Sequence, residues 1–153
     1  MSTPGPSAQQ DRSPVLAAMT GFMGSIFKMP PGWRIWVGIL LLANMIVPLF
    51  FLPRLEAVIV PVALMLGGMS QMAIFGRLGF VRLLGLGHFW WIPMLAWLWA
   101  RVDLFAPQGA FGYWLLALFV VNSLSLLIDV TDVVRYARGD RAPQLGPGSE
   151  GQA

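Results

Sequence analysis

The segment from Phe111 to Tyr136 constrains this chain most, because it begins with roughly twenty residues without an ionised side chain. At about 1.5 Å per residue, such a helix can cross the hydrocarbon core of a bilayer, which is about 30 Å thick. Its polar side chains recur at helical spacing and form one stripe: Asn122, Ser125, Asp129, Asp132 and Tyr136. Because lipid offers these groups no partner, the stripe predicts a helix that packs against other helices in a membrane.

The composition extends this prediction to the whole chain. Of its 153 residues, 57% are hydrophobic and 11% are charged, whereas soluble domains carry about 25% charged residues. The length suits one helical bundle without a separate soluble domain. The sequence therefore predicts an all-α fold, an integral membrane bundle of four transmembrane helices with an N-terminal interfacial amphipathic helix.

The predicted transmembrane domain covers residues 33–136, with helices at about 33–52, 57–75, 83–100 and 111–134. Pro48 lies inside the first helix and should bend its last turns. In the second helix, Ala63 and Gly67 are small residues four positions apart, so another helix should approach closely there.

The N-terminal region is predicted to lie outside the four spans. Residues 1–14 are rich in Pro, Ser and Gln, and we expect them, like residues 139–153, to be disordered. Residues 15–29 form an apolar helix that is too short to span a bilayer. Two interpretations stay open: the helix lies in the head-group plane, or it packs under the bundle.

The basic residues predict the orientation. With four spans, both termini and the turn at 76–82 lie on one side, together with eight of the ten basic residues; Arg54 and Arg101 lie on the other. Since Lys and Arg accumulate on the cytoplasmic side, both termini should be cytoplasmic. Arginine outnumbers lysine nine to one, a bias that suggests a GC-rich bacterial genome and hence a bacterial inner membrane.

The polar stripe allows two interpretations. In the first it is an ion or proton site made of Asn122, Ser125, Asp129 and Asp132, with contributions from Asn44 and Gln71. In the second, Asp129 and Asp132 only mark the cytoplasmic end of the helix. The second is favoured, because Asp129 lies roughly 27 Å along the helix from Phe111.

The remaining candidate residues lie near the cytoplasmic face. A collar of basic residues could bind anionic lipid head groups, each charge contributing about 1 kcal/mol, although the orientation signal alone also explains them. The collar consists of Lys28, Arg77, Arg82, Arg135 and Arg138. His88, beside Trp90 and Trp91, is interpreted as an amphipathic anchor at the membrane surface.

The sequence does not favour an enzyme. It has no cysteine and one histidine, and its residues do not suggest a catalytic set of nucleophile, general base and orienting acid. We therefore predict no catalytic residues, no metal and no cofactor. We expect a non-enzymatic accessory, assembly or lipid-contacting subunit. Its partners would be membrane lipids and itself or another membrane protein, with no nucleic acid. The alternative is a small ion- or proton-linked transporter or channel that uses Asp129.

Overall fold

A computed structural model of the protein describes residues 14–104 and 106–141. Every regular element within these two ranges is helical. In chain order the helices are α1 (Pro14–Lys28), α2 (Pro31–Leu41), a π-helical turn (Leu42–Ile46), a 3₁₀ turn (Val47–Phe51), α3 (Leu55–Leu78), a 3₁₀ segment (Arg82–Trp90), α4 (Trp91–Arg101) and α5 (Gly109–Ala137).

Within the described residues, four helical stretches are long and apolar enough to cross a membrane: Pro31–Phe51, Leu55–Leu78, Arg82–Arg101 and Gly109–Ala137. The all-α fold with four candidate spans is thereby confirmed. Their ends differ from the ranges 33–52, 57–75, 83–100 and 111–134 by no more than three residues. The predicted tails, 1–14 and 139–153, lie mostly outside the described residues; within 139–141, Asp140 forms ion pairs.

The first span changes its helical pitch around Pro48, the residue expected to bend its last turns. The N–H of Val47 donates to the carbonyl of Leu42, five residues back. The next donor in this π register would serve the carbonyl of Ala43, but Pro48 has no N–H. The indole Nε1 of Trp114 on α5 donates to this carbonyl instead, at 2.9 Å. A distortion of the first span thus creates a hydrogen bond to the last one.

The core lies around α4, which packs against α3 and α5. Leu115 and Leu118 of α5 are completely buried, and so are Val60 of α3 and both Trp91 and Leu98 of α4. The polar stripe of α5 also faces inward: Asn122 is 0% exposed and Ser125 is 3% exposed. The expectation that α5 turns this stripe towards its neighbours is confirmed.

The close approach predicted at Ala63 and Gly67 is also present. Both residues are buried, and a Cβ added to Gly67 would lie 2.9 Å from the carbonyl oxygen of Gly87. The backbone of the 3₁₀ segment therefore lies directly against α3.

The first and second halves of the chain are joined at the end opposite the termini. Glu56, at the start of α3, accepts a hydrogen bond from Nε of Arg101, at the end of α4, with an N–O distance of 2.9 Å. Nearby, the guanidinium of Arg54 lies 4.1 Å above the centroid of the Phe111 ring.

Helix α1 contacts the far end of α3. The ring of Phe22 packs edge-on against Phe75, with centroids 5.7 Å apart, and lies 6.3 Å from Phe80. Its other large side chains include Met23 and Phe27, which are 48% and 69% exposed. One side of the helix thus packs on the bundle and another presents apolar groups outward.

Candidate functional site

His88 connects three of the helical elements through its imidazole ring. Its Nδ1 lies 2.7 Å from Oδ2 of Asp129 on α5, and its Nε2 lies 3.0 Å from Nε2 of Gln71 on α3. Both His88 and Asp129 are largely buried, with side chains 17% and 16% exposed. The three residues Gln71, His88 and Asp129 are called the His88 site below.

The 3₁₀ geometry explains why this histidine reaches α5. A 3₁₀ helix has three residues per turn, so positions 82, 85 and 88 lie on one face. Arg82 pairs with Asp132 at 3.0 Å, and a Cβ on Gly85 would lie 2.9 Å from Cβ of Asp129. Arg82, Gly85 and His88 therefore form one row that contacts the two aspartates of α5.

A second face of the same segment contacts α3. Gly87 is buried, and a Cβ there would collide with Cγ of Gln71 and approach the carbonyl of Gly67. The absence of a side chain at Gly87 is what allows Gln71 to extend to the imidazole of His88. Gly85 and Gly87 thus allow the 3₁₀ segment to pack closely against both α5 and α3.

The orientation of the Gln71 amide in the structure fits one neutral tautomer of His88. The amide nitrogen of Gln71 can only donate, so Nε2 of His88 accepts its hydrogen bond. The ring proton is then on Nδ1, which donates to the carboxylate of Asp129. Gln71 and Asp129 together orient the imidazole and satisfy both of its nitrogens.

One tryptophan covers the imidazole of the His88 site, and a second lies beside it in sequence. The ring of Trp91 stacks on His88, with centroids 4.1 Å apart and an angle of 13° between the planes. Trp91 is completely buried, and among the described residues its indole N–H has no hydrogen-bond partner. Trp90 donates from its indole to Oγ of Ser70 at 3.1 Å, one residue before Gln71.

Arg82 organises the end of α5. Besides Asp132, its guanidinium lies 3.3 Å from Asp140, which also pairs with Arg135 at 3.1 Å. Two members of the predicted basic collar, Arg82 and Arg135, are therefore bound to carboxylates of the chain itself. The other three members, Lys28, Arg77 and Arg138, are exposed.

Two turns of α5 away from Asp129, a second polar pair joins the first and last spans. Asn44 and Asn122 each donate from Nδ2 to the other's Oδ1, at 2.9 and 2.8 Å, and both are completely buried. Nδ2 of Asn44 also donates to the carbonyl of Leu40 at 2.9 Å. This pair is closed on itself and satisfies the groups that face each other.

The four residues of the predicted ion or proton site do not converge on one site in the structure. Asn122, Ser125, Asp129 and Asp132 lie on one face of α5, but Asn122 bonds with Asn44, Asp132 with Arg82, and Asp129 with His88. Gln71 is connected to Asp129 only through the imidazole.

Interpreting His88 as an anchor missed its contact with Asp129. The signal was a row of period three, Arg82, Gly85 and His88, which matches the aspartates only if the segment is a 3₁₀ helix. Among the described residues, no group of three or more His, Asp and Glu side chains could hold a metal ion.

The chain matches no known protein-family model, no curated protein and no solved structure. Its function has to be inferred from its own residues.

Proposed function

We propose that the protein is a non-enzymatic subunit of a bacterial inner membrane that acts through association, as an accessory, assembly or lipid-contacting component. This proposal is supported by the hydrogen bonds and ion pairs that the polar side chains form within the chain. The interior amides, the imidazole and the carboxylates of Glu56, Asp129, Asp132 and Asp140 all bond to groups within the chain. The spans also expose many large apolar side chains, which are available to lipid or to another protein.

The first two spans offer the larger surface for a partner. In the most apolar 18-residue stretch of each span, 17% of the residues are buried in the first and second spans and 33% in the third and fourth. On α3 an exposed stripe follows helical spacing: Val58, Val62, Met65 and Met69. Methionine adapts its shape to a partner better than branched side chains do, which favours this stripe as the contact surface.

Crosslinking in intact membranes tests the association. A photo-crosslinking residue at Met69, which is 63% exposed, should capture one defined protein, either a partner or a second copy. The control is the same residue at Leu127 on α5, which is 66% exposed and should capture lipid only. The proposal is abandoned if neither position captures protein and the protein purified in mild detergent is a monomer without a partner.

The orientation and the position of α1 belong to the same proposal. Eight basic residues on the side of the termini favour cytoplasmic ends. Helix α1 would then lie in the plane of the inner head groups, where Phe22 packs against α3. Its exposed side chains Met23 and Phe27 would insert into the membrane. Reporter fusions at both termini test this, since activity only in the periplasm would contradict it.

A second candidate function is favoured by one contact, the 2.7 Å hydrogen bond between His88 and Asp129. A carboxylate and an imidazole in contact within a membrane bundle are often part of a proton or ion path. If the protein is an ion- or proton-linked transporter or channel, liposomes containing it should show flux under a gradient that Asp129→Asn abolishes. An absence of flux in the unmodified protein eliminates this candidate.

A further inference from the structure

An open groove runs along the seam between the first span and α5. It has a volume of about 540 Å³, which is within the range of roughly 300–1,000 Å³ for sites that hold small organic molecules. Its walls are alkyl and aromatic side chains such as Leu42, Val47 and Trp114. Alanines occupy positions where larger side chains would fill the space: Ala43, Ala110 and Ala117.

A cationic side chain, Arg54, lies near one end of this apolar groove. The ring of Phe111, which carries the guanidinium of Arg54 on its face, lies 5.3 Å from Phe51 and 5.6 Å from Trp114, two groove residues. Tyr113 lines the same end and is 61% exposed. The nearby carboxylate of Glu56 is bonded to Arg101. A cation and a phenol hydroxyl therefore lie next to an apolar slot.

The length of the groove indicates what occupies it. Its residues on α5 extend from Ala110 to Val121, which at about 1.5 Å per residue corresponds to roughly 16 Å. This is about half of the hydrocarbon thickness of roughly 30 Å, the depth of one leaflet. A transmembrane helix of a second copy would extend across both leaflets, whereas the acyl chain of a lipid ends at the midplane.

We propose that this groove binds one membrane phospholipid. Its acyl chain lies between the first span and α5, and its phosphate and ester oxygens accept hydrogen bonds from Arg54 and Tyr113. The inference rests on the lipid-contacting role proposed above and names the ligand and the residues of that role. It places the specific lipid site at the end opposite the basic collar.

Native mass spectrometry of the full chain, purified in mild detergent and titrated with phosphatidylglycerol, tests the proposal. Ala117→Phe fills the groove, and Val120→Phe is its matched control. Val120 is 47% exposed on the same helix and does not line the groove. Arg54→Gln removes the cation, and Arg54→Lys retains it.

We expect Ala117→Phe and Arg54→Gln to weaken binding of the first lipid about tenfold or more, while Val120→Phe and Arg54→Lys bind like the unmodified protein. Equal binding by Ala117→Phe and Val120→Phe overturns the proposal. So does a dimer that only Ala117→Phe dissociates, because the groove would then hold a second copy. Crosslinking from Met69 reads a different helix, so its outcome and that of the lipid titration are independent.

Discussion

Asn44 and Asn122 exchange two hydrogen bonds between the first and last spans, with both side chains removed from the surface. Each amide is the other's donor and acceptor, so a change in one leaves the other incompletely paired. Asn44 keeps only its bond to the carbonyl of Leu40 in that case.

The first prediction follows from this pair. Asn122→Leu should lower the free energy of unfolding by about 1–2 kcal/mol, because it leaves a buried amide unsatisfied. Adding Asn44→Leu should cost less than the sum of the single changes, with a coupling of about 0.6–1.7 kcal/mol. Unfolding of the four variants in mixed micelles measures the cycle, and strict additivity would show that the pair contributes nothing.

The second prediction compares neighbouring glycines of α3. A Cβ on Gly67 would lie 2.9 Å from a carbonyl oxygen of the 3₁₀ segment, whereas one on Gly68 meets nothing within 4 Å. Gly67→Ala should therefore be destabilising and should separate the 3₁₀ segment from α3. Gly68→Ala is the control and should stabilise the helix by about 0.5–1 kcal/mol. Equal stabilities would contradict the close approach.

The third prediction concerns the carbonyl of Ala43. Trp114→Phe removes its indole donor and should cost about 1–3 kcal/mol, the penalty for an unsatisfied buried acceptor plus lost packing. In a Pro48→Ala background the penalty should be smaller, because the backbone then supplies an N–H that can reach this carbonyl. The measurement is the free energy of unfolding of both single variants and the double variant. If Trp114→Phe costs the same with Pro or Ala at position 48, the missing N–H of Pro48 does not explain the bond from Trp114.

The fourth prediction separates charge from hydrogen bonding at the His88 site. Asp129→Asn keeps an acceptor for the Nδ1–H of His88 and should change stability by less than about 1 kcal/mol, whereas Asp129→Leu should cost about 1–3 kcal/mol. Thermal unfolding of both variants in detergent is the measurement. If Asn and Leu are equally harmful, the carboxylate charge matters more than the hydrogen bond, which would favour the ion-linked candidate.

Hydrophobic patterning was sufficient for the outline of this fold. Pro48 was expected to bend the last turns of the first span, where the structure has a π-helical and a 3₁₀ turn. The spacing of Ala63 and Gly67 predicted the close contact of α3. The stripe on α5 predicted which face turns inward, since polar groups in lipid have no other partner.

The partners of the polar residues could not be predicted in this way. Asn44 was considered as a contributor to a site with Asn122, Ser125 and Asp129, and of these it bonds to Asn122. His88 was interpreted as an anchor at the membrane surface, and its hydrogen bond to Asp129 was not predicted. The 3₁₀ pitch of Arg82–Trp90 decides the pairing of His88 with Asp129. Over nine residues a 3₁₀ helix has no hydrophobic signature that separates it from an α-helix.

The sequence by itself determined that four apolar helices form, because the transfer of side chains from water to lipid depends on composition and spacing alone. Only the tertiary structure decided that Gln71, His88 and Asp129 meet, and that a groove remains between the first span and α5. Those features depend on the distance and rotation between helices, which are set by glycines and alanines at the contacts.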